Sequence, residues 1–102
     1  MKPKVSIVVP AYNAEKTLTL CLDSLMNINF PKDDLEIILV DNNSTDRSRE
    51  IIKRYPVKYV FEPKRGEGVA RNTGIKSSSG ELIVFTDAGC VVDKNWLKRL
   101  IE

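Results

Sequence analysis

Carboxylates must carry whatever acid–base or metal chemistry this sequence performs, because its 102 residues include no histidine. Ser-His-Asp triads, imidazole bases, HExxH zinc sites and His-ligated haem are thereby removed. Two aspartates close apolar runs: Asp41 follows Leu35-Glu36-Ile37-Ile38-Leu39-Val40, and Asp87 follows Leu82-Ile83-Val84-Phe85-Thr86. An ionised carboxylate beside a buried run needs a partner, and a metal or an N–H donor would supply one to Asp87. Pro10-Ala11-Tyr12, after Val5-Ser6-Ile7-Val8-Val9, brings an aromatic ring that can lie against a nucleobase, and Lys64-Arg65 brings cations that can meet a diphosphate. Left to itself, such a charge pair reads as solvated surface. Cys21 and Cys90 form neither a disulfide framework nor a CxxC knuckle; Cys21 fits the apolar face of a helix, and Cys90 reads as structural.

These residues need elements to place them. Val5–Val9 is a β-branched run apolar on both faces, as a central parallel strand requires. Asn13 is a candidate N-cap for a helix with Leu18, Cys21, Leu22 and Leu25 at helical spacing. A loop with Pro31 leads to a second strand, 35–40, and Asn42-Asn43-Ser44-Thr45-Asp46 supplies turn formers and caps for a helix carrying Ile51 and Ile52. Val57–Phe61 is a third strand. Lys64-Arg65-Gly66-Glu67-Gly68 is a basic turn before a helix through Val69, Ala70 and Ile75, which Ser77-Ser78-Ser79-Gly80 closes. Leu82–Thr86 is a fourth strand, and Asn95 begins a last helix through Trp96, Leu97, Leu100 and Ile101, of which Trp96, Leu97 and Leu100 read as packing residues. Strands alternating with helices predict a mainly parallel sheet with helices on both faces. In such a sheet ligands bind beyond the carboxyl ends of the strands, which gathers Tyr12, Asp41, Lys64-Arg65 and Asp87 on one edge. There Asp41 can accept hydrogen bonds from a ribose or a base.

The same residues carry a resemblance. Val5-Ser6-Ile7-Val8-Val9-Pro10-Ala11-Tyr12-Asn13, Ile38-Leu39-Val40-Asp41-Asn42-Asn43-Ser44-Thr45-Asp46, Gly68-Val69-Ala70-Arg71-Asn72-Thr73-Gly74 and Ile83-Val84-Phe85-Thr86-Asp87-Ala88 resemble, in order, the successive blocks of the family 2 glycosyltransferases. The resemblance implies an α/β, Rossmann-like GT-A nucleotide-binding subdomain. It also implies a nucleotide-diphospho-sugar donor, often a uridine one, held with Mg²⁺ or Mn²⁺, and sugar transfer with inversion to a sugar, lipid or protein acceptor. Carried over, Pro10, Ala11 and Tyr12 line the nucleoside, Asp41 contacts the base or ribose, and Arg71 reaches the nucleotide. Asp87 becomes the first carboxylate of the DxD element that holds the metal on the diphosphate. Gly89 stands where the second Asp is expected, which leaves weaker metal binding, Asp87 acting through water, or Asp93 four residues beyond as a substitute ligand. Fifteen residues follow Asp87, whereas the family's general base and most of its acceptor site lie well C-terminal to this element. Residues 1–102 thus read as one donor-binding subdomain of a larger enzyme; the alternative is a non-catalytic nucleotide-binding module.

Other classes fit less well. The dinucleotide fingerprint fails because Gly66-Glu67-Gly68 follows the third strand and Arg71 replaces the last glycine; no P-loop is present. A phospho-acceptor receiver needs acidic residues after its first strand, and Val9-Pro10-Ala11 has none. The net charge of +2 gives no nucleic-acid surface by itself, although residues 51–102 hold ten basic and six acidic groups against six and eight in residues 1–50. No apolar run approaches the roughly 18 residues of a membrane span, and Met1-Lys2-Pro3-Lys4 leads straight into a strand rather than a signal-peptide core. The expected location is cytoplasmic, at most peripheral to the inner membrane face. An unfinished sheet edge would favour pairing with another copy, a homo-oligomer.

Overall fold

The computed structural model describes residues 3–102; Met1 and Lys2, part of the opening read above as carrying no leader, lie outside them. The strands are β1 (Val5–Ala11), β2 (Leu35–Asp41), β3 (Lys58–Phe61) and β4 (Leu82–Phe85), and the helices α1 (Leu18–Met26), α2 (Ser48–Ile52), α3 (Glu67–Ser77) and α4 (Trp96–Ile101). All strand pairs are parallel, in the order β3-β2-β1-β4. The chain winds outward from β1 to β3 and then returns to the other side of β1, so the order reverses between β1 and β4. As right-handed connections require, α1 and α2 pack on one face and α3 on the other.

Residue alternation builds both cores. Val5, Ile7, Val9 and Leu39 face α1, α2 and α4, meeting Leu18, Leu22, Leu25, Ile52 and Leu97, while Val8, Ile38 and Val40 face Ala70 of α3. The close approach of α3 needs Gly74, where a Cβ would collide with the Val8 side chain and press Val40 at 3.2 Å. At the amino ends of the strands the Glu36 carboxylate accepts from the Ser6 hydroxyl (2.7 Å) and the Ser79 N–H (2.9 Å), and the Ser6 oxygen accepts from Gly80 N–H. This brace fixes the turn into β4.

Two expectations are corrected. Asn13 does not cap α1, which starts at Leu18; Asn13 takes a positive φ of 47°, and its side-chain oxygen accepts from Thr45 N–H at 2.8 Å. β1 also runs two residues further than the apolar stretch, through Pro10. The carbonyl of Val8 accepts from Thr86 N–H on the β4 side, so the nitrogen of Pro10 faces that same side, past the end of β4, where no ladder bond is lost. Among the described residues, no helix is long and apolar enough to cross a membrane.

Candidate functional site

The loops after β1 and β2 are stitched together by short polar side chains. Asn13 N–H donates to Ser44 Oγ, Ala14 N–H to Ser48 Oγ, and Glu15 N–H to Asp46 Oδ2, whose other oxygen accepts from Ser48 N–H. Asp46 is thus a turn and tie residue, and most of the Asn-Asn-Ser-Thr-Asp segment holds backbone in place.

Asp41 lies beneath this seam, 1% exposed. Its Oδ1 accepts from Ser44 N–H (3.0 Å) and its Oδ2 from the Tyr59 hydroxyl (2.6 Å). Burial, then the bond to Asp41 and its charge, push the Tyr59 hydroxyl up to about 12, so it remains a donor at any working pH. Asp41, expected to contact a base or ribose, is not among the residues lining the cavity here: each of its oxygens accepts one internal hydrogen bond, and the neighbouring Asn42 reaches the cavity wall.

Asn42 organises the loop after β3. Its Nδ2 donates to the carbonyls of Glu62 (3.1 Å) and Lys64 (2.7 Å), and its Oδ1 accepts from Arg65 Nη1 (2.6 Å) and Gly66 N–H (3.1 Å). Gly66 has φ 149°, a conformation that side chains strongly disfavour, and its carbonyl accepts the first α3 bond from Ala70. Held this way, the Arg65 guanidinium lies 3.4 Å from the centre of the Tyr12 ring, a cation–π stack. Tyr12 is 45% exposed, so part of its surface is open to the cavity it lines. Arg65 is exposed but held in place by Asn42 and Tyr12 rather than free; the sequence offered it only as half of a charge pair, and the residue that fixes it is Asn42, whose amide can hold a loop by donating and accepting at once.

Two cavities meet at Pro10. The first, about 220 Å³, is lined by Pro10, Ala11, Tyr12, Asn42, Arg65 and Glu67. The second, about 290 Å³, is lined by Pro10, Arg71, Phe85, Thr86, Asp87 and Cys90. Either alone is below the usual roughly 300–1,000 Å³ of a small-molecule site, so a ligand of nucleotide size needs both. They open at the carboxyl ends of β1 and β4, where the strand order reverses. Arg71 Nη2 donates to Glu67 Oε1 at 2.8 Å, joining the walls of the two cavities.

Asp87, expected beside its buried run to need a metal or N–H partner, is exposed, and water can solvate it. Its carbonyl accepts from Cys90 N–H (3.0 Å) and the Cys21 thiol (3.6 Å). Burial, with Cys90 and Asp87 nearby, pushes the Cys21 thiol up to about 11, leaving an inert core group. Cys90, read as structural, is exposed on the second cavity. Asp93 does not substitute for the missing acid at Gly89: its Oδ2 accepts from Asn95 N–H (2.9 Å) just before α4 and lies 3.5 Å from Arg99 in the last turn of that helix. Among the described residues no three His, Cys, Asp or Glu side chains are grouped to hold a metal. As a resident cation site, Asp87 by itself is incomplete.

With this geometry in view, comparison with known proteins is decisive. The sequence profile of glycosyl transferase family 2 matches residues 6–102. The chain belongs to that family. A relative, the poly(ribitol-phosphate) beta-glucosyltransferase of Bacillus spizizenii, is 44% identical over 94% of this chain and 16% of its own length. Among solved structures, Staphylococcus aureus TarS 1–349 in complex with UDP matches at TM-score 0.89 and 35% identity, over 96% of this chain and 31% of that one. The mannosyltransferase PcManGT of Pyrobaculum calidifontis, in complex with GDP-Man and Mn²⁺, matches at TM-score 0.91 and 30% identity, over 99% and 32%. These matches and the parallel sheet establish the Rossmann-like GT-A fold of this family 2 glycosyltransferase domain. It spans between 15% and 34% of the length of the curated relatives it matches.

Proposed function

We propose that this domain is the donor-binding part of an inverting glycosyltransferase and holds a nucleoside-diphosphate sugar, foremost a uridine one, across the two cavities that meet at Pro10. The observation that carries this reading is the pairing of an aromatic–guanidinium wall, Tyr12 with Arg65, beside a cavity lined by Arg71 and Asp87. The first suits a nucleoside, with Pro10 and Ala11 as backbone edge. The second suits a diphosphate and the start of its sugar. Asp41 acts from below, through Ser44 and Tyr59, to keep Asn42 and the Tyr12 loop in register.

Relatives solved with UDP, UDP-GlcNAc or GDP-Man support the donor class. Mg²⁺ or Mn²⁺ enters only as an ion brought with the diphosphate, for which Asp87 is the carboxylate at hand. A second reading, a nucleotide-binding module without transfer, draws on Gly89 in place of a second acid.

Calorimetric titration of the folded chain with UDP, GDP and TDP, with and without Mn²⁺, tests the donor site. We expect binding of at least one nucleotide, and at least about fivefold loss on Tyr12→Ala, since a base–aromatic stack contributes about 1–3 kcal/mol. No binding by a folded sample, or full affinity in Tyr12→Ala, would remove the proposal.

A further inference from the structure

We infer that Glu67 is a positioning residue that holds Arg71 in reserve and surrenders it to the donor's diphosphate; this rests on the donor-site reading above. Arg71 is the cationic side chain lining the second cavity, and Asp87 is the acidic one. An arriving diphosphate therefore meets one repelling carboxylate and one guanidinium already shared with Glu67 at 2.8 Å. Both members of that pair are well exposed, 46% for Arg71 and 63% for Glu67, and they stand one helical turn apart on α3.

Such pairs are weak, because water screens them and two long side chains must be ordered. A phosphate offers the same guanidinium a bidentate partner of higher charge. The exchange is cheap, and it replaces a neighbour that lines the nucleoside cavity with a ligand in the cavity that Arg71 already lines. Glu67 is thus a competitor for Arg71, and it sets how much of that charge a diphosphate can use.

The test is a double-mutant cycle on the whole chain, reading affinity for UDP and GDP against uridine and guanosine by calorimetry. Glu67→Gln should tighten diphosphate binding by about two- to fivefold at low salt. That gain should shrink as salt rises and should exceed any change in nucleoside affinity, since Glu67 also lines the first cavity. In an Arg71→Gln background the same change should have no effect on the diphosphate. Unchanged or weaker diphosphate binding in Glu67→Gln overturns the inference, as does a gain that persists without Arg71, which would make Glu67 a plain repelling charge. Wild-type chain that is folded by circular dichroism yet binds no nucleotide overturns the donor site and this inference together. Wild-type binding with a flat response to Glu67→Gln overturns this inference alone.

Discussion

At the scale of single residues, the site depends on an amide rather than an acid. Asn42 donates to two carbonyls and accepts from Arg65 and Gly66, and no carboxylate can do both. Asn42→Asp would strengthen the pull on Arg65 while setting an anionic oxygen against the carbonyls of Glu62 and Lys64. The expected cost is about 1–3 kcal/mol, the range for buried groups left unsatisfied, measured as a shift in the denaturant midpoint at constant slope. An unchanged midpoint would mean that the loop is held by other contacts. Arg65 should be affected with it, since its place over Tyr12 is set by the same Oδ1.

At the scale of elements, α3 carries Arg71 and Glu67, and its seat on the sheet depends on Gly74. Gly74→Ala should destabilise by about 1–3 kcal/mol, as overpacking does, and weaken nucleotide binding by lifting α3 off Val8; a thermal melt with a parallel titration checks both. The brace at the other end of the sheet gives a pH prediction. Burial raises the pKa of Glu36, but hydrogen bonds from Ser6 and Ser79, with the Lys58 charge, outweigh it and hold the carboxyl below its ordinary 4.5. A depressed folded pKa contributes stability above the unfolded value and loses it as pH falls through the folded one. Melting temperature should therefore fall below about pH 4.5 less steeply in Glu36→Gln than in the wild type. Elements of this kind were legible in the sequence because apolar alternation and helical spacing are local signals: four strands, four helices and their placing on both faces of the sheet follow from them. The start of α1 was not, since Asn13 is claimed by Thr45, 32 residues away. The same holds at the site. Tyr12, Arg71 and Asp87 could be found as strand-end and block residues, but the internal use of Asp41 and the capture of Arg65 by Asn42 depend on loops meeting in space.

At the scale of the whole molecule, the domain separates two edges of one sheet. The carboxyl edge bears the Tyr12, Arg65, Arg71 and Asp87 groups. The opposite edge bears an apolar groove of Leu25, Ile28, Phe30 and Leu35. The central claim is that a nucleoside diphosphate occupies the carboxyl edge across both cavities. Amide chemical-shift mapping of the labelled chain with UDP and then GDP tests it most directly. The account predicts perturbations concentrated at Ala11-Tyr12, Asn42, Arg65-Gly66, Arg71 and Thr86-Asp87, with the groove at the other edge silent. Perturbations centred on Leu25, Ile28 and Phe30, or none at saturating nucleotide, would contradict it.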